Sequence, residues 1–411
     1  MGKNILIFLL FCMAFNSQEL SSNEFYPEPD TKEEPRIKIN TEPAFKFYNI
    51  MNYLQEKSEQ GFICKNVDKA TIRQNYLSNI KDNKLQRMID SLLSLPVYDA
   101  ISDISRIYKN GLFVRKGKKT FVDAFNNLPI YCVPMNGGRP NSWVEYWKKG
   151  YQDKMHSVIE HINKNDEHII KTSITRCKQF LPKSCKLSTD ADVYIVFDGN
   201  RGSFQKNQMI VLDLMNKELY DTSIFQNVLT HELHHIFYEE WLNNNFFGKK
   251  KGKLNKTQLL QMSMIMEGVA QQYTISNYNN QAKELLYNKE LMKEIYDEWI
   301  TIARKTNSST FPGIAFDKTY KNQFHKEMQW LNKFCNKPIE EETLKYRPSV
   351  TYYISYHLYN AIYIKMGLTG LSYVIENPDQ LLKEYNRIYT EDMLIPMIPD
   401  DIIIQWSNNL Q

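Results

Sequence analysis

The order of apolar and polar positions divides this chain into a long helical stretch, a brief β signal and a second helical stretch. From Pro43 to about Asp166, apolar residues recur at three- and four-residue spacing, predicting helices over 44–58, 68–79, 82–93, 97–108 and 142–164. The pattern then changes. Val193-Tyr194-Ile195-Val196-Phe197 is a continuous β-branched and aromatic run ending at Asp198-Gly199, and Met209-Ile210-Val211-Leu212 follows a polar loop. The two runs predict a short hairpin, although its loop is long for that motif. Helical spacing resumes over 223–243, 257–276, 280–305, 318–334, 349–366 and 378–387. The predicted fold class is mainly α with a small β element (α+β). Gly137-Gly138-Arg139-Pro140 marks a turn or lobe boundary, and no internal repeat is visible. Residues 350–375 are rich in Tyr and Ile, but His357, Asn360 and Lys365 argue against a membrane span.

The N-terminus reads differently. Lys3 precedes an apolar run from Ile5 to Phe11, and Ala14 or Ser17 offers a cleavage site, so residues 1–17 are expected to be an export signal. The run is shorter than the roughly 20 apolar residues a bilayer helix needs. Cys12 offers a lipid-anchor alternative, with bulky Phe11 before it counting against that use. Residues 18–40 are polar, of mixed charge, and contain Pro27, Pro29 and Pro35, which predicts a flexible leader. Residues 41–411 are expected to fold as one unit, a helical N-terminal lobe (41–185) beside a region (186–411) that carries the motif below. Export places the protein outside the cell, in a periplasm or on a cell surface.

Composition adds exclusions. A net charge of +4 on 411 residues points to no nucleic-acid partner, and 13% aromatic residues suit a packed core. After Cys12 come Cys64, Cys132, Cys177, Cys185 and Cys335, an odd set in which Cys177 and Cys185 are the nearest pair. No C-x-x-C occurs, so these thiols read as packing residues rather than metal ligands. His156, His161 and His168 lack ligand spacing, and the Lys249–Lys251 run reads as a solvated loop.

One stretch names a chemistry. His231-Glu232-Leu233-His234-His235 reads H-E-x-x-H: on a helix the outer histidines project from one face, with Glu232 beside them. Asp221-Thr222-Ser223 supplies N-cap candidates, and Ser223-x-x-Gln226 has capping-box spacing. Phe225, Leu229, Leu233, Ile236, Phe237 and Trp241 occupy an arc largely away from His231 and His235, so the helix can bury one side and turn its histidines to a cleft. A catalytic zinc takes three protein ligands. Tyr238 and Trp241 stand where a metzincin has glycine and histidine, which excludes that class and directs the search to a glutamate on a following helix. Glu267, 32 positions after His235 within Met264-Ile265-Met266-Glu267-Gly268-Val269-Ala270, is the best candidate. Its helix is apolar on almost every side, and a buried carboxylate needs a counter-charge. Gly268 and Ala270 are small enough for another helix to approach closely, whereas Glu239 and Glu240 follow on the same helix with poorer geometry.

On these residues the chain resembles the gluzincins, zinc peptidases whose ligands are two histidines and a glutamate. More narrowly, it is similar to an uncharacterised family of zinc-dependent peptidases that joins H-E-x-H-H to E-G-x-A and a Tyr-rich helix ending in Gly. Those motifs are His231–His235, Glu267–Ala270 and Tyr352–Gly367, within a resemblance covering about 190–390. The resemblance implies Zn2+ held by His231, His235 and Glu267, with Glu232 taking a proton from the attacking water and delivering it to the leaving amine. It also implies an oxyanion donor, for which Tyr352, Tyr353, Tyr356, His357 and His234 are candidates; Tyr353 and His357 share a helix face and are preferred. The strand at 209–214 would pair with an extended peptide or protein substrate. The thermolysin-like branch has an aspartate four residues after the glutamate ligand, where this chain has Gln271. Two rivals stand beside the peptidase: a zinc amidase or deacylase, and an exported binding protein with a structural zinc.

Overall fold

The computed structural model describes residues 35–410 except 59–61, 63–66, 105, 110–111, 116, 129, 131–142, 145, 148–149, 199–202, 207, 248–255, 307–325, 336–337 and 340–347. The expected signal over 1–17, most of the leader, the Gly137–Pro140 boundary, the Lys249–Lys251 run, Cys12, Cys64 and Cys132 lie outside the described residues.

The chain is mainly helical, around a small mixed sheet of order β1-β4-β6-β5. Strand β1 is Ile37–Asn40, so these four residues, predicted as part of the leader, belong to the sheet. Ile37 and Ile39 alternate inward, and β1 pairs in parallel with β4, Ala191–Val196. Four residues with two apolar positions give little local signal. Their pairing partner lies far along the chain, which is why the strand reads as leader. Strand β6, Met209–Asp213, also pairs in parallel with β4, so the hairpin predicted from 193–197 and 209–212 does not form. The intervening loop instead carries Phe204–Lys206, strand β5, which pairs antiparallel to β6 on the sheet edge. Val193–Phe197 and Ile210–Leu212 are buried without alternation, as strands covered on both faces are.

Helix α1 (Glu42–Lys57) packs on β4, and its Phe47 meets Phe197, Trp143 and Phe125 at ring-centroid distances of 5.2, 5.0 and 5.8 Å. Helices α2 (Lys69–Ile80) and α3 (Asn83–Leu93) follow. Asp82 caps α3, which buries Leu85, Ile89 and Leu92 at helical spacing. The helix predicted over 97–108 is α4, Pro96–Ile104, after which Arg106–Lys109 (β2) and Leu112–Arg115 (β3) form an antiparallel pair. After α5 (Lys119–Asn127), α6 runs from Gln152 to Lys178, starting and ending later than the 142–164 prediction, with a kink at Asn165.

The C-terminal half builds the site. Helix α7 is Thr222–Asn245, α8 is Lys256–Thr274, and the predicted 280–305 helix is broken into α9 (Asn280–Leu286) and α10 (Lys289–Thr306). Helix α11, Val350–Glu376, passes the expected end at Gly367, which bends it at φ +67, a conformation glycine tolerates. Helices α12 (Leu381–Ile388) and α13 (Asp400–Leu410) close the chain. Pro35–Gln411 is one compact unit, and α6 packs along α7, so the N-terminal helices share their core with the motif helix. Cys177, Cys185 and Cys335 are free thiols, so the nearest pair is not bonded. Among the described residues, no helix is long and apolar enough to cross a membrane.

Candidate metal centre

Helix α7 begins where its sequence signals place it. Asp221 is the N-cap, its Oδ1 accepting from Ser223 N at 2.8 Å and Ile224 N at 3.1 Å. The helix is buried nearly all round from Leu229 to Tyr238, because α6 and α8 flank it. His231 and His235, one turn apart, bring their Nε2 atoms to 2.9 Å. Helix α8 supplies the third group: Glu267 lies 3.5 Å from His231 Nε2 and 3.6 Å from His235 Nε2. The three ligand atoms fall within 4.8 Å of one another. The centre is enclosed without being sealed, with side-chain exposures of 11%, 8% and 16%.

The donor set fits zinc. Metal–donor bonds of about 2.0–2.2 Å put neighbouring corners of a tetrahedron about 3.3–3.6 Å apart. The two Nε2 atoms stand 2.9 Å apart, Glu267 Oε2 lies 3.5 Å from His231 and its Oε1 3.6 Å from His235, so a small spread of the imidazoles and a turn of the carboxylate would complete the set. His231 Nδ1 lies 3.0 Å from the Ala270 carbonyl, which can only accept, so Nδ1 carries the hydrogen and Nε2 is the nitrogen left facing Glu267. Glu267 Oε2 is buried with no hydrogen-bond donor. A cation would give that oxygen its partner.

Electrostatics follow from burial and this crowding. Burial opposes ionisation of Glu267, but His235, His231 and the Tyr352 hydroxyl beside it together hold it well below the usual carboxylate range. Burial depresses His231 as well, yet Glu267 outweighs it and the imidazole is raised. His235 goes down to about 4, through burial first and then the neighbouring His231, against the pull of Glu267. Burial pushes Glu232 up to about 7, with Glu267 adding to the rise and His231 opposing it.

The oxyanion candidates separate clearly. Tyr353 is buried among Tyr278, Glu327 and Cys335, and His357 donates from Nε2 to the Leu286 carbonyl at 2.8 Å. That shared face therefore packs on α9 and its surroundings. His234 is fully buried and donates from Nε2 to the Phe180 carbonyl at 3.0 Å. Tyr356 meets Tyr287, hydroxyl to hydroxyl, at 3.2 Å. Tyr352, 37% exposed, is the candidate tyrosine whose hydroxyl feels Glu267 most strongly. The charge of Glu267, with burial and the charge of Glu232, raises its pKa well above 10, so it stays a donor. Gln271 does not support a histidine: its Oε1 accepts from Tyr278 at 3.1 Å and Thr274 at 3.2 Å. The backbone of Ala270 takes that place, a contact no side-chain pattern announces. The expected peptide-pairing strand β6 has both edges occupied, and the edge beyond it belongs to β5, which packs near α7.

Two histidines one turn apart and a glutamate from the next helix are the donor set of a gluzincin-type zinc peptidase. The chain matches, over residues 45–393, the family described as "Putative zinc dependent peptidase (DUF5700)", and it belongs to that family. No curated protein and no solved structure matches it.

Proposed function

We propose that this protein is an exported zinc-dependent peptidase with Glu232 as general base. The observation that carries the reading is the convergence of His231, His235 and Glu267 beside a buried carboxyl, Glu232, that a structural zinc has no need of. When bound, zinc supplies a Lewis acid that polarises a carbonyl and acidifies water. Glu232, poised near 7, can take a proton from the attacking water and hold it in the enclosed site. It then returns the proton to the leaving amine. His231 Nδ1 keeps its hydrogen on the Ala270 carbonyl throughout, which fixes the ring. Export rests on Lys3 and the apolar run Ile5 to Phe11, with lipid attachment at Cys12 as a variant of the same route.

Zinc quantification on the purified protein, with hydrolysis of a mixed peptide library by wild type and Glu232→Gln, tests this. The expected result is one zinc per chain and cleavage that falls by about 10²-fold or more in the variant. Zinc without peptide cleavage would favour an amidase, a deacylase or a binding protein. Absence of zinc would overturn the reading.

A further inference from the structure

Helix α11 meets α8 along the stripe Tyr352, Ser355 and Tyr359, spaced i, i+3 and i+7. Ser355 and Tyr359 close directly on Gly268, where an added Cβ would stand 2.8 Å from Ser355 Cβ and 2.6 Å from the Tyr359 ring. Gly268 adjoins Glu267, so the same contact carries Tyr352, one turn before Ser355, to the Glu267 carboxylate, whose charge raises the pKa of the Tyr352 hydroxyl. Tyr352 is 37% exposed, so packing alone does not hold its side chain against Glu267. The terminal torsion of a glutamate is soft and nearly two-fold, and Glu267 Oε2 has no hydrogen-bond partner to fix it.

We propose that Tyr352 is a positioning residue of the metal centre: its hydroxyl holds the Glu267 carboxylate in the orientation that completes the donor set of His231 and His235. The inference rests on the zinc reading above. It assigns Tyr352 a role through Glu267, separate from any contact with substrate. Partners of metal ligands at this remove typically change metal affinity by about 10–100-fold when lost.

The test uses the full chain stripped of metal, titrated with zinc and with cobalt(II) against a competing chelator, as wild type, Tyr352→Phe, Tyr373→Phe and His231→Ala. Tyr373 is on the same helix and exposed, so its variant controls for loss of a phenol alone. Support would be one tight site in wild type and Tyr373→Phe, with affinity about 10–100-fold lower in Tyr352→Phe. The Tyr352→Phe cobalt spectrum should also be altered, while the far-ultraviolet circular dichroism and urea midpoint of the metal-free protein are retained. Wild-type affinity and spectrum in Tyr352→Phe would overturn the positioning role and leave the metal centre standing. The same follows if that variant loses affinity only in step with its metal-free fold. A wild type that binds neither ion, like His231→Ala, would overturn the zinc reading and the positioning role with it.

Discussion

Gly268→Ala isolates the contact on which the centre depends. In a helix, alanine is favoured over glycine by about 1 kcal/mol, so propensity alone predicts stabilisation. Packing predicts the reverse. The new methyl would lie 2.6 and 2.9 Å from two atoms of the Tyr359 ring and 2.8 Å from Ser355 Cβ, against about 3.5–4.0 Å for relaxed carbon contacts. Tyr359 is fully buried. Helix α11 must therefore recede by about 1 Å, and overpacking of this kind costs about 1–3 kcal/mol. Three contacts this short place the cost near the upper end, so the net expectation is a loss of about 2 kcal/mol. Urea unfolding of the metal-free protein reads this as a lower midpoint at an unchanged slope. The shift also pulls Tyr352 from Glu267, so zinc affinity should fall together with stability. A neutral or stabilised Gly268→Ala with wild-type zinc affinity would show that α8 and α11 are not closely apposed at this point.

Two further predictions concern α7. Glu232 stands at about 7 against an ordinary 4.5. A carboxyl raised on folding favours the fold below pH 4.5 and loses that contribution as pH rises through 7, by up to about 3 kcal/mol at 1.36 kcal/mol per pH unit. Metal-free Glu232→Gln should therefore be more stable than wild type at pH 8 by up to that amount and equal to it at pH 4.5, in urea titrations at both values; equal stability at pH 8 refutes it. Asp221→Ala removes the acceptor of the Ser223 and Ile224 amides and should cost about 1 kcal/mol, with Asp221→Asn largely sparing the loss; a neutral alanine variant would show that the cap contributes nothing.

What could be read from the sequence divides along local and non-local lines. H-E-x-x-H is a one-turn relation, and Glu267 stands out as a carboxylate in an apolar helix, so both halves of the donor set are visible without coordinates. The choice among tyrosines is not. Residues 353–359 are buried in succession, so α11 has no apolar stripe to set its phase, and Tyr352, Tyr353 and Tyr356 look equivalent until α8 and α9 are in place. Pairing of β1 with β4 joins residues 37–40 to 191–194, and no local pattern carries that register. The long 198–208 loop was the available sign that 193–197 and 209–212 do not form a tight hairpin.

The Ala270 contact explains why Gln271 need not disable the centre. Glu267 and Ala270 are three apart on α8, hence on one face, and they present a carboxylate and a carbonyl to the same His231. A slip of α8 by one residue along α7 would break both contacts together. A side-chain aspartate could follow such a shift through its torsions, whereas a helical carbonyl cannot. The orientation of His231 is thus tied to the backbone register of α7 and α8, and that register is held from behind by α11 at Gly268. On this account metal affinity should track perturbations of the α8–α11 contact more closely than substitutions of Gln271, whose oxygen is already engaged by Tyr278 and Thr274.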